Sequence, residues 1–182
     1  MSYKVYAVQK AAEVCDDYEV YVNGQKAELN TARVSAYQFN RRWPGHQRQI
    51  EQTELVNFLS MESDEEIELK IVPKFPSFGV RIRPRSLAVS AQSNANGVIT
   101  VRVNGAAQFT VEPYGKNHAL HIFIDPVSAY RIQKTDENVI YFGKGEHDAG
   151  NIYLQSGQTL YIDEGAVVYA TLFAMHAENI KI

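Results

Sequence analysis

Short β-prone runs recur through residues 138–182, NVIYFGKGEHDAGNIYLQSGQTLYIDEGAVVYATLFAMHAENIKI. The runs are Val139-Ile140-Tyr141-Phe142, Ile152-Tyr153-Leu154, Leu160-Tyr161-Ile162, Ala166-Val167-Val168-Tyr169 and Ile180-Lys181-Ile182. Gly143, Gly150, Gly157 and Gly165 punctuate them. Leu160 and Ile162 return as Ile180 and Ile182, about one solenoid repeat later. Strands this short cannot bury an apolar face alone, and stacking successive turns is what buries it. The stretch therefore reads as the first coil of a parallel β-helix. Its last run is apolar, so the expectation is a truncated helix, with an open end that could pair between copies.

Residues 1–126 obey a different rule. Tyr18-Glu19-Val20-Tyr21-Val22 alternates and meets Asn23-Gly24, the strongest short hairpin signal, with 25–29 as the return strand. Ile67, Leu69 and Ile71 alternate with Glu66, Glu68 and Lys70. Phe78, Val80 and Ile82 alternate with Arg81 and Arg83. Ile99, Val101 and Val103 run to a second Asn-Gly pair, Asn104-Gly105, and Phe109 and Val111 lie on the return. Pro113-Tyr114-Gly115 reads as a turn, and Leu120, Ile122 and Ile124 alternate with His121 and Phe123. Residues 5–8, 33–39 and 87–90 are further extended runs, while 54–61 suits a strand or one helical turn. No apolar period of 3.6 residues reaches helical length. The prediction is an all-β chain: an antiparallel, Ig-like β-sandwich over 1–126, a polar connector over 127–137, and the start of the β-helix over 138–182.

Length and composition narrow the function. The 182 residues hold one large or two small domains, and 45% hydrophobic residues suffice for a packed core. A net charge of −3 gives a polyanion nothing to grip, so nucleic acid is not an expected partner. No apolar run approaches the roughly 18 residues that span a bilayer, so no membrane partner is expected. The N-terminus MSYKVYAVQKAAEVC has no basic segment followed by an apolar one. As it stands the chain is expected in the cytoplasm, or outside the cell where a leader has been removed. The one cysteine, Cys15, has no disulfide partner and no metal-ligand spacing, and reads as a plain thiol.

One loop breaks the β pattern. Residues 40–53, NRRWPGHQRQIEQT, hold the only tryptophan, Trp43, with His46 and Arg48. Long loops in compact domains are often functional. The indole of Trp43 can stack on a sugar ring, while His46 and Arg48 can bond hydroxyls or pair with uronate carboxylates. The plainer reading makes Trp43 a plug between the two domains, with Arg48 and Glu54 locking the loop.

The tail resembles the start of the right-handed parallel β-helix of polygalacturonase-like and dextranase-like glycoside hydrolases, within the pectate-lyase-like superfamily. Tyr141-Phe142-Gly143-x-Gly145, Ile152-x-Leu154-x-Ser156-Gly157-Gln158-Thr159-x-Tyr161-Ile162 and Gly165-Ala166-Val167-Val168 carry the likeness. The front is similar to the β-sandwich that precedes the helix in some of these enzymes. Its matching pieces are Trp43-Pro44-Gly45-His46-Gln47-Arg48 with Gln52-Thr53-Glu54, Arg83-Pro84-Arg85-Ser86, and Leu120-His121-Ile122-Phe123. The resemblance implies a polysaccharide or oligosaccharide partner and a front domain that caps and supports the helix. It also implies catalytic aspartates several coils further on, in Asn-Thr-Asp, Asp-Asp, Gly-His-Gly and Arg-Ile-Lys motifs. This chain departs from the family there. Asn30-Thr31 precedes Ala32, Asp16-Asp17 lies in a sandwich turn, and Arg81-Ile82-Arg83 is a sandwich strand. No catalytic residue carries over.

The remaining candidates are weak. Glycoside hydrolysis needs two carboxyl groups converging on one bond, about 5 Å or 6.5–9.5 Å apart. Asp163-Glu164 are adjacent before Gly165 and read as a solvated turn. Glu146-His147-Asp148 sits between Gly145 and Gly150, lacks further ligands at metal spacing, and reads as a structural loop. His118 and His121, three apart on an apparent strand, point to opposite faces and should not share a metal. Gly143-x-Gly145 lacks the rest of a dinucleotide fingerprint. No cofactor is expected. The chain therefore reads as the inactive, non-catalytic front of a polysaccharide-degrading hydrolase. The alternatives are a self-sufficient carbohydrate-binding module using the Trp43 loop, and a structural or self-associating domain.

Overall fold

The computed structural model describes every residue except 1, 2, 7, 9–12, 37–48, 78, 88, 128–131 and 133. The chain divides into two compact units, Met1–Val127 and Ser128–Ile182. The division falls inside the stretch expected to be a connector. Among the described residues there is no α-helix, and one 3-10 turn spans Ile50–Gln52.

In the first unit, one sheet contains β2 (Tyr18–Val22), β3 (Gln25–Ala27), β6 (Glu66–Pro73), β8 (Ser90–Ser93) and β9 (Ile99–Asn104), in the order β3-β2-β6-β9-β8. Local chemistry sets its start. Asn23 and Gly24 take φ of 47° and 83°, the left-handed pair that a two-residue hairpin with the strand twist requires. Alternation then fixes the faces. Tyr18, Val20 and Val22 of β2, Ile67, Leu69 and Ile71 of β6, and Ile99, Val101 and Val103 of β9 are all buried.

The other sheet holds β1 (Tyr3–Val5), β4 (Asn30–Ser35), β5 (Thr53–Ser63), β7 (Arg81–Arg83), β10 (Ala107–Lys116) and β11 (Leu120–Asp125). Leu59 and Met61 of β5, Phe109 and Val111 of β10, and Leu120, Ile122 and Ile124 of β11 join the side chains of the first sheet in one apolar cluster. Burying each such side chain favours the fold by about 1.5–3 kcal/mol.

The expectation of a wholly antiparallel unit fails at the centre of this sheet. Strand β11 lies parallel to β5, with His121 beside Phe58 and Asp125 beside Glu62. Strand β5 is long enough to take β4 along Thr53–Phe58 and β1 along Met61–Ser63, both antiparallel. Its other edge is filled by a strand some 60 residues later, which no hairpin constrains. Pro113-Tyr114-Gly115, expected to turn, lies within β10. The ambiguous run at 54–61 is strand, not helix.

The second unit contains β12 (Val139–Phe142), β13 (Gly145–Tyr153), β14 (Thr159–Ile162) and β15 (Ala166–Phe173). Every pairing is parallel and repeats after about 20 residues: Val139 lies beside Thr159 and Ile152 beside Leu172. Between Asp148 and Gly150 the register shifts by one residue, as in a bulge. Ile152, Leu154 and Leu160 are buried, with Ile140, Phe142, Ala149 and Ile180 packed on them. Gly165 turns the chain at φ 81°, and a Cβ there would sit 3.0 Å from Lys144 Cγ. Its left-handed dihedral therefore favours glycine, and any larger residue would also displace the Lys144 side chain.

Two expectations are corrected here. Glu146-His147-Asp148 is strand, not loop: it runs beside Val167-Val168-Tyr169 in β13. The return of Leu160-Tyr161-Ile162 as Ile180-Lys181-Ile182 is out by two residues. Lys181 bridges to Thr159, and Leu160 N donates to Lys181 O at 2.9 Å. A strand continuing in that register brings Ile182, not Ile180, level with Leu160.

Candidate functional site

Trp43, His46 and Arg48, the expected sugar contacts, lie outside the described residues. The other candidates from the sequence are placed. Asp163 accepts hydrogen bonds from the Tyr141 hydroxyl and from Glu164 N, the latter at 2.8 Å. The Tyr141 phenol is pushed above its ordinary range, first by that bond to Asp163 and then by desolvation. Tyr141 also stacks on Tyr161, one repeat on, with centroids 5.6 Å apart. Asp163 thus anchors a turn. His147 Nε2 lies 2.6 Å from the Gly143 carbonyl, and its ring meets Phe142 edge-on at 5.2 Å. A carbonyl only accepts, so Nε2 carries the proton.

Cys15 is buried, and desolvation pushes its thiol up to about 11, so it stays a thiol near neutral pH. His121 sits on β11, where burial lowers its pKa against a smaller opposing pull from Glu54. His118 is not on that strand. It occupies the preceding turn with φ 53°. Among the described residues, no group of three or more His, Cys, Asp and Glu is arranged to hold a metal ion.

One constellation escaped the sequence reading. It gathers Asp17, Tyr18, Phe75, Tyr114 and His118 at one end of the first unit. A buried amide begins it. Asn57, 2% exposed, accepts from Asp17 N at 3.2 Å and donates to Cys15 O at 2.8 Å. Lys74 N donates to Asp17 O at 2.8 Å. These bonds fix the chain just before β2, and with it the Asp17 carboxylate.

The Tyr18 ring is buried, and its hydroxyl donates to the His118 carbonyl. Desolvation, followed by the negative charge of Asp17, raises the Tyr18 pKa, so the phenol stays a donor. A left-handed histidine costs about 1–2 kcal/mol, and this bond helps hold it. His118 Nδ1 lies 2.8 Å from Asp17 Oδ2. A carboxylate only accepts, so Nδ1 carries the proton and Nε2 is the nitrogen turned to other partners.

Phe75 stands at the centre of the rings. Tyr18 meets it at 5.4 Å and 80°, Tyr114 at 6.3 Å and 84°, and His118 at 5.4 Å and 44°. The side chain of His118 is 48% exposed, Asp17 28%, and Tyr114 as a whole 48%. The arrangement offers a hydrogen-bonding imidazole of fixed tautomer beside aromatic rings. It offers no activated nucleophile. Sequence could not announce it, because Asp17 and His118 are 101 positions apart.

Together these features define an all-β chain of several sheets. Among solved structures, Dex49A from Penicillium minioluteum shares that fold at a TM-score of 0.57 and 17% sequence identity. The match covers 88% of this chain and 45% of that one, so the chain spans less than half the length of its structural neighbour. No family model matches the chain, and no curated protein matches it.

Proposed function

We propose that the chain is the non-catalytic N-terminal portion of a polysaccharide-degrading glycoside hydrolase, able to bind glycan but not to cleave it. In this reading the first unit is an Ig-like β-sandwich and the second the opening of a right-handed parallel β-helix. The observation that carries the proposal is the fold likeness to Dex49A, a dextranase, over 88% of this chain and less than half of that one. The parallel register of about 20 residues supports it, as does the sequence resemblance to polygalacturonase-like and dextranase-like enzymes. Hydrolysis needs two converging carboxyl groups, and the Asp163 carboxylate is engaged by Tyr141 and Glu164. The test is reducing-sugar release from dextran and polygalacturonate. None above a buffer blank is expected; release by the purified chain overturns the proposal.

A second reading, self-association, is favoured by one observation. Ile162, Leu172 and Ile182 are 47%, 41% and 77% exposed, and a groove of about 610 Å³ runs past Leu160, Ile162, Ile180 and Ile182. Unpaired strand edges of this kind recruit further strands. Sedimentation over a range of concentrations tests it: a mass that rises toward a dimer supports a second copy, and a constant monomer rejects it.

A further inference from the structure

We propose that the Asp17–His118 end of the first unit is a binding site for an uncharged sugar ring. The inference deepens the polysaccharide reading and rests on it for the choice of a glycan as ligand. Four separate segments converge here: the approach to β2, the exit from β6, the far end of β10 and the turn before β11. The core explains Tyr18 and the inner side of Phe75, which pack on the shared apolar cluster. It does not explain Tyr114 and His118, which are half exposed yet held against Phe75.

The chemistry matches a sugar. The C–H face of a pyranose is apolar and lies against an aromatic ring, while its hydroxyls need donors and acceptors around the rim. Phe75, Tyr114 and His118 supply ring surfaces meeting at steep angles, with Tyr114 at 77° to His118. The Asp17 carboxylate fixes His118 Nδ1 as a donor, so neutral His118 presents Nε2 as an acceptor to a hydroxyl. The Tyr18 hydroxyl holds the His118 turn and the Asn57 bonds hold the segment that carries Asp17, so the site is preorganised.

Charge selects the class of sugar. Asp16 is paired with Lys74, and Asp17 with His118. A uronate carboxylate would meet the like charge of the Asp17 carboxylate. An uncharged glucan meets no such opposition.

The test is NMR titration of the folded chain with a dextran oligosaccharide and, separately, with a galacturonate oligosaccharide, following the His118 imidazole signals. Saturable shifts with the dextran oligosaccharide are expected, with at least tenfold weaker binding of the galacturonate. Tyr114→Ala should weaken the dextran oligosaccharide by about tenfold, the upper value for one aromatic contact. His118→Gln should also weaken it, and unchanged thermal unfolding of both variants confirms intact folds. The proposal is overturned if the His118 signals do not move, if Tyr114→Ala binds unchanged, or if the two oligosaccharides bind equally. A tryptophan fluorescence response without movement of the His118 signals overturns this site while leaving the polysaccharide reading standing. No response of either kind to either glycan overturns both.

Discussion

The two units are built from the same kind of strand but bury it differently. In the first, side chains of two sheets share one apolar cluster, and Val20, Leu59, Ile67, Leu69, Ile99, Val101, Leu120 and Ile122 are fully buried. In the second, parallel strands pile on one another, and only Ile152, Leu154 and Leu160 among the described residues are buried apolar side chains. Tyr169, Leu172, Met175 and Ile182 are exposed there. Two faced sheets close a core at once, whereas stacked turns bury their interior only as neighbours accumulate. The first unit therefore has the means to support a binding surface. The second gains most from additional turns.

That contrast breaks most visibly under core truncation. Leu59→Ala, at a fully buried site in β5, should cost the first unit about 2–5 kcal/mol. Leu160→Ala should leave the first unit's transition in place. Denaturant unfolding followed by probes in each unit measures this, and equal losses in both transitions would erase the distinction.

Asn57→Ala comes next. It leaves the buried Asp17 N and Cys15 O without their partner, at about 1–3 kcal/mol for each such group. The expected signature, beyond lost stability, is a freed Asp17–His118 contact, seen as a shift of the His118 imidazole signals. In the second unit, Gly165→Ala forces a left-handed alanine against Lys144 Cγ. A destabilisation of about 1–2 kcal/mol is expected there, measured by the same unfolding experiment.

The smallest effect concerns pH. Burial depresses the His121 pKa, so the folded state resists a proton that the unfolded chain accepts. Stability of the first unit should therefore fall as pH drops through the ordinary histidine range, and level off below the folded value. His121→Gln should flatten that slope. An unchanged slope assigns the pH dependence to other groups.

Much of the fold was legible in the sequence, because it rests on local rules. Asn23-Gly24 announced the β2–β3 hairpin, and alternation assigned the faces of β6, β9 and β11 correctly. What stayed hidden is non-local. The parallel contact of His121 with Phe58 leaves no trace in either segment. Alternation fixes a face but not a register, since a shift of two residues keeps the same side chains inward. That is why Ile180 was matched to Leu160, where the bridge sets Lys181 against Thr159.

Pro113 misled for a different reason. Pro113-Tyr114-Gly115 has the composition of a turn, yet Pro113 lies past the last registered pairs of β10, Val111 with Leu120 and Glu112 with Arg81, where no ladder bond needs its missing N–H. The site was less legible than the fold. Trp43, His46 and Arg48 were selected by residue type in one continuous loop. The Asp17–His118 constellation is assembled by sheet topology from four distant segments; in the sequence Asp16-Asp17 and Tyr114 read as turns, Tyr18 and His118 as strand residues, and nothing links them.

On the proposed function the chain holds glycan without cutting it. Isothermal titration of the chain with a dextran oligosaccharide tests both halves together. The expected result is a saturable binding heat after each injection, a full return to baseline, and no new reducing ends in the cell afterwards. No binding heat, or a sustained heat accompanied by new reducing ends, would contradict it.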